Sequence, residues 1–209
     1  MTSGATDRPN DELHGSVDRL AHEFAGVYAR ETVAECVQNS HARLGSLRIT
    51  SDEALLAYRY ARQRLRASAV VDGLLARKVP EVLIVCTHNA GRSQHAAALL
   101  EQQAGGGVSV RSAGTAPAQD LHPGVRDALA EVGADEADAF PKQLTEEFVA
   151  AADVVITMGC GDACPVLPGR RYVDWDRPDP AHATTEELRD IRDEAARRVT
   201  LLLHELLDA

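Results

Sequence analysis

The spacing of apolar positions changes near residue 80. Before it, apolar residues recur every three or four positions. Val17, Leu20, Phe24 and Val27 lie at helical spacing in "SVDRLAHEFAGVY", and Val33, Val37 and Leu44 share one side of "ETVAECVQNSHARL". A third segment, "SDEALLAYRYARQRLRASAVVDGLLARK", opens with Ser51 ahead of Asp52 and Glu53, an N-terminal cap followed by acids in the first turn. Three amphipathic helices with short joints predict an antiparallel three-helix bundle over residues 1–79. After Pro80, short apolar runs alternate with helical periods. "VLIV" (82–85), "VSVRS" (108–112), "DVVITM" (153–158) and "RYVDW" (171–175) read as strands. "RSQHAAALLEQQA", "PGVRDALAEVG", "TEEFVAAA" and a last segment from about Thr184 to Leu207 read as helices. This alternation predicts an α/β domain over residues 80–209: a parallel sheet covered by helices on both faces.

Composition narrows the picture. The chain has 209 residues, 44% hydrophobic and 26% charged, with a net charge of −10. Residues 1–79 hold 11 basic and 10 acidic residues, leaving 11 basic and 22 acidic for residues 80–209. Nucleic acid is therefore not an expected partner of the second part. No apolar run approaches the roughly 20 residues that cross a bilayer. The first residues, "MTSGATDRPNDELHG", lack an apolar signal core. No membrane association and a cytoplasmic location are expected. In that setting four cysteines point to reactive or buried thiols rather than a disulfide framework.

The chemistry gathers in "CTHNAGRS", between the first strand and the helix after it. Open α/β sheets bind ligands at the carboxyl ends of their strands. Successive backbone N–H groups of Thr87, His88, Asn89, Ala90 and Gly91 can form an anion-binding nest, and the helix adds its positive N-terminal end. Arg92 supplies a planar bidentate donor for a tetrahedral oxyanion. These neighbours favour the thiolate of Cys86, a nucleophile aimed at the bound oxyanion. Ser93 can donate to that sulfur or hold the loop, while His88 and Asn89 shape the turn or its rim.

The Cys-x5-Arg-Ser loop resembles that of low-molecular-weight protein tyrosine phosphatases and of the arsenate reductases built on the same fold. "SAGT" (112–115) and the Asp-Pro at 179–180 are also similar, and the resemblance spans about residues 81–207. It implies a four-stranded parallel sheet flanked by helices, with Asp179 as the general acid that protonates the oxygen leaving when Cys86 attacks. Asp174 and Asp176 compete with it for that role. Three features resemble the reductase branch. "TMGCGDACP" places Cys160 where a resolving cysteine stands and Cys164 where a further one stands. Gln94 follows the Arg-Ser where phosphatases tend to have Pro. Arg177 and Pro178, rather than an aromatic pair, adjoin Asp179.

The resemblance implies arsenate as substrate, with phosphate or sulfate as mimics. It implies no tightly bound cofactor, and a thiol reductant as electron donor: thioredoxin, or mycothiol with mycoredoxin. The compact "CGDAC" spacing resembles actinobacterial reductases, and the helical extension inclines the reading to the thioredoxin-coupled type. Ala97 stands where the family carries a potassium-binding acid, so no alkali metal is expected. Two other readings stand beside it: a phosphatase acting on phosphotyrosine or another phosphomonoester, and a redox-sensing interaction protein.

The plainer readings concern single residues. Cys36 reads as a small core residue of the bundle. Cys160 and Cys164 as a zinc half-site lack a second ligand pair nearby. His95 reads as a surface or packing residue, Arg170 and Arg171 as surface residues, and Trp175 as packing or as a cover for the site mouth.

Overall fold

The computed structural model describes residues 8–46, 53–133, 139–160, 164–175 and 184–207. The chain divides into two compact units, Met1–Ala76 and Arg77–Ala209. Arg77 goes with the second through its bond to Asp153.

In the first unit, α1 (Arg8–Glu23), α2 (Arg30–Gly45) and α3 (Glu53–Val71) pack as three helices. Val17, Leu20 and Phe24 meet Val33 and Val37 of α2 and Ala61 and Leu65 of α3 in one apolar cluster. The apolar spacing that predicted a helix through Tyr28 outlasts α1. The chain leaves the helix after Glu23 and turns, with Gly26 at φ +80°, a conformation open to glycine. Val27 still packs on the cluster from that turn. Helix α3 ends at Val71, short of the Lys78 that the sequence suggested, and Ser51 lies outside the described residues. Cys36 is half-buried against the bundle core, as a packing residue would be.

The second unit is built on a four-stranded parallel sheet in the order β2-β1-β3-β4, with β1 (Glu81–Cys86), β2 (Ser109–Gly114), β3 (Val154–Met158) and β4 (Arg171–Asp174). All six residues of β1 are buried, as both-face coverage requires. Val82, Ile84 and Cys86 point with Val154, Ile156 and Met158 into a core shared with α4 (Arg92–Ala104) and α7 (Thr185–Leu207). Val125 of α5 (Pro123–Ala130) joins this core, and α6 (Glu146–Ala151) also packs on β1. Trp175, 5% exposed, belongs to this core as a packing residue. Helix α4 matches the segment expected from the sequence residue for residue, whereas α5 stops at Ala130 before Gly133 at φ +68°. Thr184 caps α7: its hydroxyl accepts from the Glu187 N–H at 3.3 Å, and Glu187 reaches back to the Thr184 N–H at 2.7 Å.

The chain leaves β1 for β2 on one side and reaches β3 on the other. The topological switch point of the sheet therefore lies between the carboxyl ends of β1 and β3. Register places Cys86 beside Gly114 and Met158 at that edge.

Candidate active site

The loop 87–91 carries the chain from β1 into α4, and Asn89 shapes it. Asn89 adopts the left-handed conformation at φ 48°, which asparagine tolerates better than most residues. It is fully buried. Its backbone N–H donates to the Cys86 sulfur at 3.1 Å, and its side-chain Nδ2 donates to Ser93 Oγ at 2.9 Å. Its Oδ1 accepts the Lys142 N–H at 3.0 Å. Ser93 Oγ lies 3.0 Å from the Cys86 sulfur. Because that oxygen already accepts from Asn89, its own proton is available to the sulfur. Cys86 thus meets two donors, the Asn89 amide and the Ser93 hydroxyl.

The loop carbonyls are turned away from this centre. Those of Cys86, Thr87, His88 and Ala90 accept the N–H groups of Thr115, Ala116, Ala118 and His122 at 3.2, 2.9, 2.9 and 2.9 Å. The Asn89 carbonyl accepts Gln94 Nε2 at 2.9 Å, and the same amide bonds the Phe140 carbonyl at 2.9 Å. In a trans peptide the N–H points opposite to the carbonyl before it. The amides of 87–91 are therefore directed to the other side of the loop, where the Asn89 amide meets Cys86. That is the geometry of an anion nest. Gly114 is required beneath it, since a Cβ there would lie 2.7 Å from the Thr87 carbonyl oxygen.

Arg92 opens α4 and is 8% exposed. Its guanidinium lies against Gly159, which has φ +69° and where a Cβ would come within 2.6 Å of Arg92 Nη1. The Thr87 hydroxyl donates to the Gly159 carbonyl at 3.1 Å. The residue before Cys160 is thus tied to the loop that follows Cys86. Cys160 and Cys164 form a disulfide with Cα atoms 6.0 Å apart, and both are buried. The two sulfurs are bonded to each other, and among the described residues no group of three or more His, Cys, Asp or Glu is gathered.

Asp179 and Asp176 lie outside the described residues. Asp174 ends β4 and accepts the Thr157 hydroxyl at 2.7 Å. Ala97 is buried in the core beside α7. Arg171 is exposed and paired with Glu205 at 2.5 Å. His95, one turn into α4, is fully buried. Burial lowers its imidazole from 6.5 to about 4; a backbone bond with Val125 opposes this, and Arg192 and His122 add to it. It is neutral at pH 7 and packs as a core residue.

The sequence singled out Cys86 through Ser93, and the structure brings Asn89 and Ser93 onto the Cys86 sulfur and Arg92 against Gly159. It did not single out Gly159, or the segment after β2 that accepts the loop. It noted Gln94 as a family feature without the two carbonyls it bridges. Glycine in "TMGCG" was the available signal for Gly159.

A buried thiol and an arginine, set around an amide-lined turn at a switch point, define the Cys-x5-Arg class of oxyanion-handling α/β proteins. Residues 81–209 match the model of the low molecular weight phosphotyrosine protein phosphatase family, and residues 13–69 match the N-terminal domain of protein-tyrosine-phosphatase-like proteins. The chain belongs to the low molecular weight phosphotyrosine protein phosphatase family. Its structure is similar to that of a Corynebacterium glutamicum thioredoxin-dependent arsenate reductase. The two are 40% identical with a TM-score of 0.83, over 94% of this chain and 97% of that one. A putative arsenate reductase of Halobacterium salinarum is 32% identical over 126 residues, which is 58% of this chain and 89% of the relative. An arginine phosphatase from Geobacillus stearothermophilus is 29% identical with a TM-score of 0.54, over 62% of this chain and 94% of that one. Among the described residues, no helix is long and apolar enough to cross a membrane.

Proposed function

We propose that this chain is an arsenate reductase that serves arsenic detoxification in the cytoplasm and takes its electrons from thioredoxin. One observation carries the reading: the Cys86 loop is tied through Thr87 and Gly159 to a second thiol pair that forms a disulfide. Hydrolysis of a phosphoester has no use for that pair. The similarity to a thioredoxin-dependent arsenate reductase over 94% of the chain supports it.

In this reading the amides of 87–91 and the Arg92 guanidinium bind arsenate, with phosphate or sulfate as mimics. The Cys86 thiolate attacks arsenic, and Asp179 protonates the departing oxygen. The Cys160 thiolate attacks the Cys86 sulfur of the adduct, two electrons pass to arsenic, and arsenite leaves with a Cys86–Cys160 disulfide behind it. Cys164 then attacks Cys160, which releases Cys86 and leaves the Cys160–Cys164 disulfide. An external dithiol reduces that bond.

The test is arsenate-dependent NADPH oxidation with thioredoxin and its reductase, run beside mycothiol with mycoredoxin. Turnover should appear with thioredoxin, vanish in Cys86→Ser and Cys160→Ser, and vanish with thioredoxin in Cys164→Ser. Turnover with mycoredoxin alone would replace the donor. No turnover with either, beside aryl phosphate hydrolysis that survives Cys160→Ser, would make the protein a phosphatase.

A further inference from the structure

Cys164 is followed by "PVLPG", a segment with no part in the chemistry above. Val166 in it is 76% exposed, more than any other exposed large hydrophobic side chain among the described residues. A lone exposed valine is ordinary on a protein surface. Its setting is not. The Tyr172 hydroxyl accepts the Leu167 N–H at 2.8 Å and donates to the Pro165 carbonyl at 3.1 Å, so one side chain of β4 pins the backbone on either side of Val166. Pro165 and Pro168 stiffen the same stretch. The result is an apolar knob held in one conformation, two residues from a disulfide sulfur. A surface fixed before contact loses little entropy when a partner binds.

The disulfide itself is poorly reached. Cys160 and Cys164 are 7% and 8% exposed. Free collision with a reductant is inefficient at such a site, and a partner docked beside it gains effective concentration. We propose that residues 165–168, held by Tyr172, are the docking element by which a protein dithiol of the thioredoxin class reaches Cys164. This rests on the reductase reading above. The docked thiolate attacks the Cys164 sulfur, the Cys160–Cys164 bond breaks, and Cys160 leaves as a thiolate that takes up a proton. The partner's second thiolate attacks its own sulfur in the mixed disulfide and releases Cys164. Two electrons enter this chain and the partner's dithiol becomes a disulfide. Tyr172 is a positioning residue and touches neither sulfur in this scheme.

The experiment follows reduction of the oxidised full-length protein, without arsenate, by thioredoxin and by dithiothreitol, with new thiols trapped by alkylation. Val166→Asp should lower the second-order rate constant with thioredoxin about tenfold, the size of one lost contact patch. Tyr172→Phe should raise the thioredoxin concentration at half-maximal rate severalfold and leave the maximal rate unchanged. Rates with dithiothreitol should stay within about twofold for both variants, as expected of changes away from the sulfurs. An unchanged thioredoxin rate in Val166→Asp would overturn the proposal, as would thioredoxin and dithiothreitol rates that fall together. A lower maximal rate in Tyr172→Phe at unchanged half-saturation would remove Tyr172 from it. Because arsenate is absent, the result is separate from the reductase reading. Wild-type protein that pre-reduced forms arsenite, yet is reduced by thioredoxin no faster than by dithiothreitol, would sink the docking element and leave the reductase standing.

Discussion

At the amino end of β1, Glu81 and Arg111 form an ion pair at 2.5 Å with both side chains 4% exposed. The Arg111 guanidinium also lies 5.9 Å from the centre of the Phe148 ring. The Glu81 N–H donates at 3.0 Å to Asp153, which Arg77 holds from the other side. Five residues later, at the carboxyl end, two donors converge on the Cys86 sulfur, which in the proposed reaction changes partners in every turnover. One end spends its charges on each other, and the other keeps its polar groups for a visitor. The strand links them. Pairing of Glu81 with Ser109 sets the pairing of Cys86 with Gly114, and a slip of one residue would turn Cys86 to the opposite face. The closed end braces the register on which the open end depends.

The largest expected effect breaks the amino end. Glu81→Ala leaves Arg111 buried without its carboxylate, and removal of one partner of a buried pair costs about 3–5 kcal/mol. Denaturant unfolding should show that loss, while kcat per folded molecule stays within about twofold of wild type. A large fall in kcat at unchanged stability would show that Glu81 acts on the site directly rather than by bracing the fold.

The next effect belongs to the carboxyl end and to pH. His95 is lowered to about 4 in the folded chain, against 6.5 when unfolded. The unfolded chain therefore binds the extra proton between those values. Stability is full above pH 6.5 and falls as pH drops toward 4, by about 3 kcal/mol in all. His95→Leu should flatten that part of the stability–pH curve, measured against wild type in the same buffers. An unaltered slope would mean that another group carries it.

The third sharpens the contrast by touching the open end alone. Gly159→Ala drives a Cβ into Arg92 Nη1 and forces alanine to a positive φ. Displacing an oxyanion donor costs about a hundredfold in kcat/KM for arsenate. The backbone strain costs about 1 kcal/mol in stability. Equal kinetics in wild type and variant would show that Arg92 is not positioned by that contact.

How much of this could be read beforehand depends on distance along the chain. The "VLIV" run, the exact extent of α4 and the Cys86–Arg92 spacing are local, so periodicity and turn composition report them. The end of α1 is also local, yet Val27 kept the helical spacing from within a turn and hid the break at Gly26. Gln94 bonding the Phe140 carbonyl, Arg92 against Gly159 and the Glu81–Arg111 pair join residues 30 to 67 positions apart. No periodicity encodes such contacts, because they depend on strand order and register. Tyr172 read only as a strand residue, since its hydroxyl acts on backbone of a loop that composition leaves shapeless.

The outward carbonyls of the loop carry a lesson for design. "CTHNAGRS" looks like a portable cassette, eight residues that could be grafted onto any strand–helix joint. Its peptide planes are oriented by amides of Thr115 to His122, and its Asn89 by Gln94 and the backbone of Lys142. A transplant that copied the eight residues alone would leave those carbonyls free to rotate inward, and it would present an anion with oxygen rather than hydrogen. The smallest transferable unit is two loops and a helix turn, held at one strand register.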